Sequence, residues 1–136
     1  MISDHLLGHV GQYALIRNSR HQLLLIQRLS TKRWCLPGGR LEEGEDVVGS
    51  LQREVKEESN LECSDPKPFA VHLMEEGELM KYCVYFSVTT NSIKGVKVDD
   101  DKIFKWVSLN KGKNLKFDTK DVKRVVLDFL SQGRIV

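Results

Sequence analysis

The chain of 136 residues has no apolar run near the ~18 residues that a membrane span needs. Its first residues, Met1-Ile2-Ser3-Asp4-His5, lack the basic segment and apolar core of a signal peptide. These two absences lead us to expect a soluble, cytoplasmic protein with no membrane partner. Cysteine is scarce. Cys35, Cys63 and Cys83 are odd in number and show no metal-binding spacing, which argues against a disulfide framework and fits reduced thiols. Net charge is only +2, so there is no general electrostatic case for a nucleic-acid partner. No internal repeat, linker or low-complexity tract interrupts the chain, and its length fits one domain over residues 1–136.

Charge is nevertheless distributed unevenly. Residues 42–62 carry eight acids against Arg53 and Lys56, whereas residues 102–124 carry eight bases against Asp118 and Asp121. The second stretch is expected to be a solvated lysine-rich surface. The first holds more information, because its acids fall in a fixed register.

Residues 39–61 read GRLEEGEDVVGSLQREVKEESNL. At about 100° per residue, Val47, Val48, Leu51 and Val55 fall on one helical stripe, with Glu54, Glu57 and Glu58 on its flank. Carboxylates three and four positions apart repel by roughly 0.2–0.5 kcal/mol per pair in an isolated helix. A hard divalent cation would remove that cost. Mg2+ prefers oxygen ligands, keeps several waters and is usually held by one or two carboxylates plus substrate phosphates. Glu54, Glu57 and Glu58 are therefore the candidate metal ligands, Mn2+ being the ion that would substitute for Mg2+, and Arg53 is placed to anchor a carboxylate by a charge-assisted pair.

The preceding residues fit this picture. Trp34-Cys35-Leu36 reads as a short strand running into Pro37-Gly38-Gly39, a turn where glycines permit backbone conformations closed to other residues. Gly49, inside the helix with Ser50 beside it, is expected to allow close packing on a neighbouring element.

Gly39, five residues, Glu45, seven residues, Arg53-Glu54, Val55, one residue, Glu57-Glu58, one residue, Asn60 and Leu61 resemble the Nudix box, the signature of hydrolases of nucleoside diphosphates linked to another group. The box has glycine where Asn60 stands. That position falls where the helix should end in a left-handed residue, a place Asn also fills. The resemblance implies an α/β (α+β) fold of the Nudix type, an α/β/α sandwich with a mixed β-sheet between helices.

The rest of the chain agrees with that order. Residues from about His9 to Arg17 and from Gln22 to Arg28 read as a hairpin of two strands, with a helix from about Asp46 to Ser59 after the glycines. A second hairpin joins Phe69–Met74 to Leu79–Val88 through a turn at Glu75-Glu76-Gly77-Glu78, and Ile103–Val107 forms a further strand. Asp118 is the expected N-cap of a last helix that buries Val122, Val125, Val126, Phe129 and Leu130, with Gly133 closing it.

The resemblance also implies chemistry: Mg2+-dependent attack of water on phosphorus in a phosphoanhydride, with catalysis resting on Glu54, Glu57 and Arg53. By resemblance Gly38 would give a carbonyl to the metal beside Glu54, Glu57 and Glu58, and Arg28 and Arg40 would touch substrate phosphate. The base would be Glu54 or a distant acid, for which Asp99, Asp100 and Asp101 are the candidates. The four histidines show no spacing that implies metal or triad chemistry.

Markers of narrower substrate classes are missing. Glu76 stands where ADP-ribose hydrolases of the family carry proline, Gly77-Glu78-Leu79 where dinucleoside polyphosphate hydrolases carry tyrosine, and no coenzyme A or NADH signature flanks the box. The expectation is a (d)NTP pyrophosphohydrolase of MutT type acting on a small nucleotide, as a monomer or homodimer. The alternatives are a hydrolase of capped or triphosphorylated RNA 5′ ends and a non-catalytic nucleotide-binding module.

Overall fold

A computed structural model describes residues 8–90 and 101–132. The elements are β1 (Gly8–Arg17), β2 (Leu23–Arg28), β3 (Trp34–Cys35), β4 (Gly38–Arg40), α1 (Val47–Ser59), β5 (Lys67–Glu76), β6 (Leu79–Thr89), β7 (Lys102–Val107), α2 (Leu109–Gly112) and α3 (Lys120–Gln132). Seven strands form one mixed sheet. β1 runs parallel to β6 over its whole length, and the other pairings are antiparallel. No helix among the described residues is long and apolar enough to cross a membrane.

Strand alternation divides the core into two layers. Ala14, Ile16, Leu24, Phe86 and Val88 face one side, where Leu51 and Val55 of α1 cover them. Leu15, Leu23, Leu25, Cys83 and Tyr85 face the other, against Val125, Val126, Phe129 and Leu130 of α3. Successive residues of a strand point to opposite faces, so runs such as Leu23-Leu24-Leu25-Ile26 are apolar throughout because both faces are covered. The result is the α/β/α sandwich with a mixed sheet that the sequence implied.

The first hairpin departs from expectation. β1 and β2 meet only at Arg17 and Leu23, beside a turn in which the Asn18 side chain accepts hydrogen bonds from the backbone N–H groups of Arg20 and Gln22. Beyond that pair the two strands part. β2 takes β7 and β3 as neighbours, and β1 takes β6 and β4. Pro37 and β4 occupy the opening: Ala14 N–H donates to the Pro37 carbonyl at 2.9 Å, and Gly38, Gly39 and Arg40 pair with Tyr13, Gln12 and Gly11. Parting of the strands thus brings the glycine turn into the middle of the sheet.

α1 starts and stops as its sequence dictates. Asp46 caps it, accepting from Gly49 N–H at 2.6 Å, and Asn60 ends it in the left-handed region at φ 61°. Gly49 is exposed in the first turn, beside the Asp46 carboxylate, so close packing on another element is not its role. Ser50 is the residue that makes the tertiary contact: its buried hydroxyl accepts from Gln12 Nε2 at 2.7 Å. Val48 stays 39% exposed, although its position on the wheel falls on the apolar stripe.

Two further expectations shift. The second hairpin turns on Gly77-Glu78 alone, with Glu76 paired to Leu79 and Gly77 at φ +66°, so both strands run longer than their apolar cores. The cap of α3 is Thr119, whose hydroxyl accepts from Val122 N–H at 3.1 Å, because Asp118 is engaged elsewhere. Gly133, Asp99 and Asp100 lie outside the described residues.

Gly38 has φ +143°, and a Cβ there would collide with the Gln12 carbonyl oxygen of the adjoining strand. Neither the conformation nor the neighbour can yield cheaply, since both are backbone. Gly38→Ala should therefore cost about 2–4 kcal/mol of stability, read as a lower urea midpoint at unchanged m; an unchanged midpoint would show that β4 does not need this approach.

Candidate active site

The acids of α1 separate into two groups. Glu54 and Glu58, one turn apart, face β4. Glu58 Oε1 accepts from Gly38 N–H at 2.9 Å, and the Glu54 carboxylate lies against Gly39, where any Cβ would strike it. Gly39 is thus the residue that lets a helix carboxylate reach the strand backbone. Gln12 Nε2, deep under α1, also approaches Glu54 Oε1 at 3.5 Å.

Glu57 and Glu45 lie on the outer side, held by Arg53. Its Nη1 donates to Glu57 Oε1 at 2.8 Å, while Nε and Nη2 reach Glu45 Oε2 at 3.2 and 2.8 Å. Arg53 Nη2 is also 3.7 Å from Glu54 Oε1. One guanidinium therefore spans the eight residues from Glu45 to Arg53, tying the loop acid to the helix. Glu45 accepts further hydrogen bonds from Glu42 N–H and Ser50 Oγ.

Electrostatics follow this division. Hydrogen bonds from Arg53 and from the Glu42 N–H hold the Glu45 carboxyl below its ordinary range. Burial pushes Glu54 up, and the charge of Glu58 adds to the push; Arg53 opposes it. Arg53 itself is held more firmly protonated by Glu57 and Glu45. The mutual repulsion of Glu54 and Glu58 at β4 is thus only partly offset, by Arg53 at 3.7 Å from Glu54 and by Lys102 at 3.9 Å from Glu58.

That imbalance tests whether the residues suit a divalent cation. The donors at β4 are all oxygens, the choice of a hard ion. Among the described residues, no three His, Cys, Asp or Glu side chains are grouped tightly enough to enclose an ion. An incomplete cage of Glu54 and Glu58 is what Mg2+ accepts when substrate and water supply its other ligands. The donor set fits.

β4 and Glu58 border a cleft of about 200 Å³. Its floor is apolar, with Tyr13, Ile26, Leu36, Met74 and Tyr85 among the lining side chains, and its polar rim includes Arg28, Lys81, Lys102 and Asp118. Arg28 Nε donates to Asp118 Oδ2 at 3.0 Å, linking the end of β2 to the residue before the α3 cap. Lys102 Nζ lies 3.9 Å from Glu58 Oε2. Lys81 Nζ stands 5.3 Å from the centre of the Tyr13 ring.

The sequence candidates are distributed as follows. Gly38, Glu58 and Arg28 line the cleft, Glu54 adjoins it at Gly39, and Arg53 and Glu57 form the outer ion pair. Arg40 is not among the lining residues; it is exposed, with Nη2 3.3 Å from His9 Nε2. Asp101 is exposed, and its carbonyl accepts from Leu29 N–H at 3.0 Å. Cys35 lines the cleft, but burial raises its thiol to about 11, which leaves little thiolate for nucleophilic work.

Lys81 and Lys102 of the cleft, and Gln12 buried beneath α1, are site residues that sequence reasoning passed over, while Asp118 was read only as a helix cap. Gln12 had a signal: it shares strand parity with Ala14 and Ile16, a polar residue at a buried position. Lys102 and Lys81 had none, being lysines at the edges of apolar strands.

The NUDIX domain family matches residues 8–129. The 8-oxo-dGDP phosphatase NUDT18 of Danio rerio is 33% identical over 94 residues, which cover 65% of this chain and 28% of that protein. The chain thus spans little more than a quarter of that relative's length. A putative 8-oxo-dGTP diphosphatase of Bacillus subtilis is 26% identical over 119 residues, covering 88% of this chain and 78% of that one. In fold, the MutT protein of Methanosarcina mazei superposes with a TM-score of 0.78 at 24% identity, over 96% of this chain and 99% of that chain. With the match running from β1 into α3 and the box acids set on the glycine strand, the chain belongs to the NUDIX hydrolase family.

Proposed function

We propose that the protein is a Mg2+-dependent pyrophosphohydrolase of nucleoside di- and triphosphates, cleaving a phosphoanhydride by attack of water on phosphorus. The observation that carries this reading is the placement of Glu54 and Glu58 on β4, at the border of a cleft that offers both bases and an apolar floor. Relatives named for 8-oxo-dGDP and 8-oxo-dGTP make oxidised guanine nucleotides the first substrates to try.

Glu54 and Glu58 at β4, beside the Gly38 carbonyl, are the groups that would hold Mg2+ at this site, with Glu57, which Arg53 positions on the outer side, joining them when the ion binds and Mn2+ as a substitute ion. Bound there, the ion supplies charge neutralisation at the diphosphate and a more acidic water. The chain's own groups do the rest. Glu54, whose carboxyl is pushed up from its ordinary range by burial and by the charge of Glu58, is placed to accept a proton from the attacking water. Arg53 keeps Glu57 oriented, and Arg28 offers a planar donor set to a phosphate oxygen. The apolar floor takes the nucleoside and excludes water from the reacting phosphate. Little covalent help is needed for such a transfer, so positioning and charge carry most of the rate.

A second reading, hydrolysis at RNA 5′ ends, draws on one feature. Arg33, Lys116, Lys120 and Lys123 line a shallow basic depression that shares Asp118 and Thr119 with the cleft. Such a surface could take the phosphates of a longer chain.

Three outcomes test the proposal. In a Mg2+-dependent product assay, oxidised and ordinary nucleoside di- and triphosphates should be turned over faster than nucleotide sugars, ADP-ribose, dinucleoside polyphosphates or RNA 5′ ends. Preference for RNA ends would select the second reading, and silence across the panel would leave a binding module. Glu54→Gln and Glu57→Gln should each lower kcat by roughly 10²–10⁴-fold with the melting temperature nearly kept; an unaltered rate in either removes that residue's role. Gly39→Ala should fold, because the atom it meets ends a flexible side chain, yet lose about 10²-fold in kcat as Glu54 is displaced. Full activity there would mean that Glu54 need not rest on β4.

A further inference from the structure

Arg28 and Lys102 stand directly opposite each other at the end of the β2–β7 ladder. Like charges at such a cross-strand position destabilise a sheet, and both side chains line the cleft. Each is offset by an acid from another element: Arg28 by Asp118 before α3, and Lys102 by Glu58 of α1. Lys102 is the more sheltered of the two bases, with 26% of its side chain exposed against 47% for Arg28. Glu58 in turn accepts the Gly38 N–H on its other oxygen.

We propose that Lys102 is a resident counter-ion of Glu58 which a divalent cation displaces, and that the released ammonium joins Arg28 in binding the substrate's phosphate. This rests on the reading of Glu58 as a metal ligand. At 3.9 Å the pair is a loose contact of opposite charges and not a close hydrogen bond. An ion that takes the Glu58 carboxylate removes the partner of Lys102 and leaves two adjacent cations, Arg28 and Lys102, facing the cleft. A diphosphate is the ligand that this arrangement then favours. Metal and phosphate binding would be coupled through one lysine: Lys102 becomes available to phosphate only once the cation has taken Glu58. Such coupling is reciprocal, so phosphate that captures Lys102 also frees Glu58 for the ion.

The test uses the full chain and two calorimetric titrations, Mn2+ alone and then the non-hydrolysable imidodiphosphate at saturating Mn2+. Lys102→Met keeps most of the apolar stem. It should bind Mn2+ about fivefold more tightly, because a competing charge at 4 Å is gone, and imidodiphosphate roughly tenfold more weakly. Lys102→Arg should restore imidodiphosphate binding to within about threefold. Lys105→Met, on the opposite face of the same strand, controls for a general change of charge and should alter neither constant. The inference is overturned if Lys102→Met lacks either effect, or if Lys105→Met reproduces the gain in Mn2+ affinity. Glu58→Gln separates the two levels: loss of Mn2+ binding in that variant with no change in Lys102→Met overturns the coupling alone, whereas unchanged Mn2+ binding in Glu58→Gln overturns the assignment of Glu58 itself.

Discussion

The site depends on how closely two helix carboxylates approach the backbone of a strand. Gly38 and Gly39 leave that strand bare at successive positions, so Glu58 reaches a backbone N–H and Glu54 rests against an α-carbon. A side chain at position 39 would strike the Glu54 carboxylate, and one at position 38 would strike the Gln12 carbonyl of β1. The approach takes Glu54 out of water, and desolvation raises its proton affinity. The same short distance that positions the carboxylate therefore also tunes it.

Such an approach requires α1 to be held at a fixed height above the sheet. Apolar packing of Leu51 and Val55 supplies the attraction, and the buried hydrogen bond from Gln12 to Ser50 sets the register. Around it, Arg53 joins Glu45 of the entering loop to Glu57 of the helix. β4 is there to be approached only because β1 and β2 part after a single pair and admit it. A polar core contact, an ion pair and a split hairpin thus converge on one geometrical requirement.

Much of this was legible in the residues. The box stated the helix, its left-handed end at Asn60 and the glycine turn, since caps and glycines act locally and carry their own signals. The α/β/α layering followed from strands apolar on both faces. What the residues did not reveal is long-range. That β1 and β2 separate depends on partners Met80–Thr89 and Lys102–Val107, far along the chain. Asp118 looked like a helix cap by its local pattern; pairing with Arg28, ninety positions earlier, overrode it, and Thr119 took the cap. Glu54 and Glu57 looked alike on a helical wheel, and only the position of β4 separates a carboxylate turned to the strand from one held by an arginine.

β1 and β6 pair residue for residue from Gly8 with Met80 to Arg17 with Thr89. About seventy residues intervene, and closing a loop of that size must precede the reward of the ladder. During synthesis β1 consequently waits, its hydrogen-bonding groups unmatched along that edge, until the residues up to Thr89 have followed it out of the ribosome.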